Sequence, residues 1–175
     1  MRFIDRLRAE RGMTVIELLV AAAVCAVGIA ATIGVMDNSR ALSVRSEKRD
    51  VLAHQAEREV ERLMALPWTQ FRHPTTPTAS ASPPGNPSTY ISGTSYKWDR
   101  KTPAASEVMA VGTGGQVAST FTTWTDNGTR LSGRVYRYVT TIDPNSRRLT
   151  VIVTANGADA PPDLLISTIK TKPIL

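Results

Sequence analysis

The sequence predicts an α+β fold: a long N-terminal helix, apolar first and amphipathic after, packed on an antiparallel sheet in the C-terminal third. Three observations carry this. Residues 13–36 are an unbroken apolar run of 24 positions with one formal charge, Glu17. Residues 37–66 contain neither Pro nor Gly and are dominated by helix formers. Residues 118–170 hold short runs rich in Thr, Val, Ile and aromatic residues, separated by Asp-Asn-Gly and Asp-Pro-Asn turn signals.

Composition bounds the chemistry. A chain of 175 residues suggests one domain plus an appendage. With 42% hydrophobic and 21% charged residues it is not disordered throughout. Cys25 is the single cysteine, which excludes an intramolecular disulfide and a cysteine-built zinc site. Two histidines, His54 and His73, leave little room for a histidine-rich metal site. The net charge of +6 and pI of about 9.9 admit nucleic acid or an anionic surface until the charges are placed.

Much of the surplus lies before the apolar run. Residues 1–12 carry Arg2, Arg6, Arg8 and Arg11 against Asp5 and Glu10, a net +2. Positive charge there holds that end in the cytoplasm and sends the rest outward. A 24-residue helix at about 1.5 Å per residue measures roughly 36 Å and crosses a hydrocarbon core of about 30 Å. A cleaved secretory signal has a shorter apolar core, of about 7–15 residues. A lipoprotein reading would use Cys25, but Val24 precedes it where a small residue is wanted. A plain single-span anchor fits length and flanks, yet has no need of Glu17. A carboxylate near the bilayer centre costs on the order of 3 kcal/mol, less near the edge. Either Glu17 snorkels to the headgroups or it meets a positive partner inside the apolar layer. A cut after Gly12 would supply one, the new amine of Met13, on its own chain or on a neighbouring subunit.

The stretch Arg11-Gly12-Met13-Thr14-Val15-Ile16-Glu17-Leu18-Leu19-Val20 resembles the class III signal of type IV pilins and pseudopilins. That signal joins a basic leader ending in Gly, a hydrophobic first mature residue, a spaced Glu and a Leu-rich span. Met13 stands where phenylalanine is commoner. The resemblance implies cleavage between Gly12 and Met13 by a membrane prepilin peptidase, N-methylation of Met13, and an assembly role for Glu17. It implies a pilin-like fold, with 1–12 a leader, 13–36 the transmembrane or filament-core half of the helix, 37–66 its amphipathic half and 67–175 a globular head.

The amphipathic half places Val44, Val51, Leu52, Ala56, Val60, Leu63 and Met64 at spacings of three, four or seven. Charges fill the other faces, Glu57, Arg58, Glu59, Glu61 and Arg62 among them, and Pro67 ends the pattern. Residues 13–66 would span roughly 80 Å as one helix. Gly28 and Gly34 are poor helix formers, suited to close helix packing or to local melting on assembly. Glu59, Glu61, Arg62, Leu63, Ala65, Leu66, Pro67 and Trp68 resemble the helix end of PilV-type minor pilins, also called type IV pilus modification proteins. Minor pseudopilins of type II secretion share parts of it.

Residues 74–90, rich in Pro, Ser and Thr, read as an extended, exposed loop. Residues 94–98 read as a short strand, and the glycines at 112, 114 and 115 as a turn without the setting of a phosphate loop. Strands are expected at 118–124, 134–142, 148–154 and 164–170, joined by short turns into a meander across the helix. Asp126-Asn127-Gly128 and Asp143-Pro144-Asn145-Ser146 supply two of the turns.

No catalytic, metal-binding or cofactor-binding residues are expected. Nucleophile-elbow, HExxH, EF-hand and Walker patterns are missing from the sequence. His54 reads as a surface residue and His73 as a loop residue. Arg130, Arg134, Arg137, Arg147 and Arg148 cluster in sequence near Tyr136 and Tyr138. They suit either a DNA-binding face or a solvated or docking face, and the second is the more economical reading. The expected protein is a minor type IV pilin of the PilV type, held in the bacterial inner membrane with its head outside the cytoplasm, then moved to the pilus and cell surface. Its expected partners are prepilin peptidase, other pilins or minor pilins, the inner-membrane assembly machinery and membrane lipid. The alternatives are a minor pseudopilin of a type II secretion system and a single-span, membrane-anchored surface-binding module.

Overall fold

A computed structural model describes residues 15–80, 85–99 and 106–173. Contact clustering divides the chain into two units, Met1–Val44 and Arg45–Leu175. Among the described residues, the elements are helix α1 (Val15–Met64) and nine strands: β1 (Ala79–Ser80), β2 (Asn86–Pro87), β3 (Ile91–Ser92), β4 (Ser95–Lys97), β5 (Ser106–Val108), β6 (Thr122–Asp126), β7 (Leu131–Asp143), β8 (Ser146–Ala155) and β9 (Leu164–Thr171). The α+β class predicted from sequence is the class observed.

The four C-terminal strands form an antiparallel meander, β6-β7-β8-β9. Side chains alternate across it, and both faces are covered. One face presents Val135, Val139, Leu149, Val151 and Val153 to Leu52, Ala56 and Leu63 of α1, with Val51, Val60 and Met64 packed alongside. These are the stripe positions expected from the helical period, except that Val44 is exposed. The other face presents Tyr136, Tyr138 and Ile152 to Tyr90, Ile91, Tyr96 and Met109. Those residues belong to, or flank, a small antiparallel sheet, β3-β4-β5. This second cover was not expected from sequence. The residues 74–90, expected as exposed chain, also contribute: Pro77, Asn86 and Tyr90 are buried. Asn86 donates to the Ser119 carbonyl at 2.7 Å, and the Tyr90 hydroxyl donates to Asp163 at 2.6 Å. Prolines there restrict the chain without preventing its neighbours from packing.

Strand boundaries shift in physically readable ways. The first strand begins at Thr122, because Val117 and Ser119 are engaged with His73, Thr75 and Asn86 instead of a ladder. The β6–β7 turn is longer than an Asn-Gly hairpin. Thr129 donates from its backbone N–H (2.7 Å) and its hydroxyl (2.6 Å) to Asp126, and the left-handed residue is Arg130, with φ 55°. The Pro144-Asn145 turn is as expected, with the Asn145 N–H donating to Asp143 at 2.7 Å. Gly133 has a packing reason: a Cβ there would overlap the Thr154 carbonyl, to which the Trp124 indole donates at 3.2 Å.

The end of α1 is held from a distance. The Lys170 ammonium donates to the carbonyls of Met64, at 2.7 Å, and Leu66. A cation at a helix C-terminus satisfies carbonyls that lack intrahelical partners and complements the helix dipole. Arg147 does the same for the turn beyond, donating to Trp68 and Phe71 carbonyls at 2.8 Å each while its guanidinium lies 4.3 Å from the Trp68 ring centroid.

Candidate functional site

Every residue from 15 to 47 is exposed. The exposed set includes Val15, Ile16, Leu18, Leu19, Val20, Val24, Val27 and Ile29, each more than half accessible. α1 is long and apolar enough over one stretch to cross a membrane. A contiguous apolar surface of this kind demands a cover of lipid or of other helices. Glu17 lies near the start of the described part of α1. Gly28 and Gly34 have open space around them, so a neighbouring helix meets bare backbone there. Thr32 returns its hydroxyl to the Gly28 carbonyl at 2.8 Å, which hides a polar group that an apolar cover would leave unpaired. Gly12 and Met13, the expected processing residues, lie outside the described residues, as does the leader.

A family model for the prokaryotic N-terminal methylation motif matches residues 7–33. The N-terminal segment therefore carries the methylation motif found in type IV pilin-like proteins. The match covers Gly12, Met13, Glu17 and most of the apolar run. No curated protein and no solved structure matches the chain. The pilin-like reading therefore rests on the N-terminal motif joined to the α+β architecture, in which a long helix packs on antiparallel sheet.

In the C-terminal unit, the residues that sequence singled out have different fates. His54 is exposed, as expected. His73 is fully buried, against expectation. β6 pairs with β7 only as far as Val135, which leaves the later part of that edge without a ladder partner. Ala110 supplies one, donating to the Val139 carbonyl at 2.8 Å, and Met109 bridges Thr140. His73 supplies the other: its Nε2 accepts from the Val139 N–H at 2.9 Å, and its Nδ1–H donates to the Val117 carbonyl at 3.0 Å. Since a backbone N–H only donates, Nε2 carries the lone pair and the ring is neutral. Burial drives the His73 pKa down to about 4, against a smaller opposing effect of the Val117 and Ala118 carbonyls. His73 fastens the sheet edge.

The arginine cluster dissolves into internal contacts. Arg137 is buried and faces α1, where its Nε donates to Glu59 Oε1 and its Nη2 donates to the Thr122 hydroxyl at 2.6 Å. Arg148 donates to Glu107 at 3.2 Å and lies 4.6 Å from the Trp98 ring centroid. Arg134 sits 5.0 Å from the Phe121 centroid. Glu107 in turn accepts from the Thr140 hydroxyl at 2.5 Å. Together with Arg147, four of the five arginines are engaged, and Arg147 and Arg137 face α1 while Arg134 and Arg148 face the other way. They form no single DNA-facing surface. Glu59, one of the charges expected on the other helix faces, pairs with both Arg62 and Arg137. Burial alone would raise its pKa, but hydrogen bonds from Arg62 and Arg137 more than offset this and hold it below the usual carboxylate range.

Proposed function

We propose that this chain is a minor type IV pilin of the PilV type, a structural subunit rather than an enzyme. The observation that carries the reading is the methylation motif standing at the head of an exposed, membrane-length apolar helix that carries Glu17. On this reading prepilin peptidase cleaves between Gly12 and Met13 and the Met13 amine is N-methylated. Residues 13–36 rest in the inner membrane among lipids until the assembly machinery transfers them to a filament core. Glu17 then meets the Met13 amine of a neighbouring pilin, where exclusion of water strengthens the pair and sets axial register. The head, residues 67–175, stays outside the cytoplasm and then at the pilus surface.

Mass spectrometry of the native N-terminus tests the processing step. The expected result is a chain beginning at N-methylated Met13; an intact Met1, or a cut near Ala31, would defeat the proposal and favour a membrane-anchored module or a secreted chain. Glu17→Ala should leave membrane insertion intact while reducing incorporation into sheared surface filaments at least tenfold. Wild-type incorporation would remove the assembly role of Glu17. Processed chain that never enters the sheared fraction, but is needed for protein secretion, would point to the type II pseudopilin alternative.

A further inference from the structure

The head contains a cleft of about 420 Å³ between the C-terminal part of α1 and the β6 end of the main sheet. Arg58, Arg62 and Arg137 line it against one carboxylate, Glu59, a local balance of +3 − 1 = +2. Both oxygens of Glu59 are already engaged by internal guanidiniums. Its Oε1 accepts from Arg137 and from Arg62 Nη2 (2.5 Å), and its Oε2 accepts from Arg62 Nε (3.2 Å). Arg58 is exposed and makes no hydrogen bond or ion pair among the described residues. The cleft therefore holds uncompensated positive charge, and one of its guanidiniums has every donor available.

A second observation narrows the ligand. β6 is the terminal strand of its sheet, and Thr122, Thr123 and Thr125 are exposed. Its sequence Thr-Thr-Trp-Thr-Asp has no Lys or Pro of the kind that protects sheet edges. Five residues at about 3.4 Å offer roughly 17 Å of open edge. An incoming peptide can pair with such an edge through alternating N–H and C=O groups, which a sugar-phosphate backbone lacks. Spacing fits as well. Arg58 and Arg62 stand at i,i+4 on α1, about 5–6 Å apart at Cβ. Carboxylates at i and i+2 of a strand share one face about 6.8 Å apart.

We propose that this cleft docks an extended acidic segment of a partner protein, added as a fifth strand beside β6, with two carboxylates two residues apart on Arg58 and Arg62. The proposal is independent of the filament reading above. Its test uses the full chain in detergent micelles and a fluorescein-labelled peptide, Thr-Glu-Val-Glu-Val-Thr, followed by anisotropy. The peptide should bind, and raising the salt should weaken it. Arg58→Glu should weaken binding at least tenfold with an unchanged melting temperature, because Arg58 has no internal partner; Arg58→Lys should retain most of it. A backbone N-methylated peptide, which cannot add as a strand, should fail to bind. Absence of binding, binding indifferent to Arg58→Glu, or equal binding of a Lys-for-Glu peptide would overturn the proposal. Equal competition by inorganic phosphate or a single-stranded oligonucleotide would overturn it in favour of a general anion site. Concentration-dependent self-association abolished by Arg58→Glu would overturn it in favour of a second copy of this chain.

Discussion

Glu59→Ala should destabilise the head by on the order of 3 kcal/mol, the lower part of the range for breaking a buried ion pair. The argument is one of asymmetry. Arg137 is 5% exposed and projects from the central strand β7 toward α1. Removing Glu59 leaves that guanidinium buried beside Arg62, with only the Thr122 hydroxyl and the Val135 carbonyl as partners. The Glu59 side chain keeps 13% exposure, so water can reach part of the site, which places the loss at the lower end. Urea unfolding followed by Trp fluorescence gives the measurement. Glu57→Ala, two positions away and exposed, should shift the midpoint little and serves as the reference. Pairing Glu59→Ala with Arg137→Met should restore most of the loss, since the lone buried charge then goes too. Equal midpoints for Glu59→Ala and Glu57→Ala would show that the cluster contributes nothing to stability.

Acid should weaken the head well before its carboxylates titrate. His73 has a folded pKa of about 4 against about 6.5 when unfolded. Between those values the unfolded chain binds the extra proton, so stability rises with pH and is lost as pH falls from about 6.5 toward 4. A shift of this size corresponds to roughly 3 kcal/mol over the full window. Protonation also removes the lone pair that accepts the Val139 N–H. Glu59, whose folded pKa is depressed, contributes stability that is lost only further down, as pH falls through and below the ordinary carboxylate range. The slope between pH 6.5 and 5 therefore belongs to His73. Urea titrations at pH 7, 6 and 5 should show it, and His73→Phe should be less stable at pH 7 yet flat across the window. An unaltered slope in His73→Phe would assign the acid sensitivity elsewhere.

What could be read from residue order was what is periodic or local. The α1 period named the buried stripe Leu52, Ala56 and Leu63, and Pro67 marked its end. Asp143-Pro144-Asn145 marked a tight turn, and the β7 alternation separated Val135 and Val139 from Tyr136 and Tyr138. The methylation motif was legible because its elements are contiguous. What escaped was non-local. Glu59 looks like any other charge on an outer helix face until Arg137, 78 positions later, is brought beneath it. His73 looks like a loop residue until β7 proves longer than its partner β6 and needs an acceptor for Val139. The β3-β4-β5 cover escaped because strands of two or three residues are too short to show a period.

Lys170 gives the fold a temporal order. The helix end that it caps is made 106 residues earlier. At about 5–20 residues per second, roughly 5–20 s separate the two during synthesis. Throughout that interval the terminal carbonyls of α1 have no cation, and for most of it the stripe of Leu52, Ala56 and Leu63 has no β8 to rest on. A chain broken off before β9 forfeits the cation at the end of α1 along with one edge of its sheet, and the helix stripe keeps only its contacts with β7 and β8.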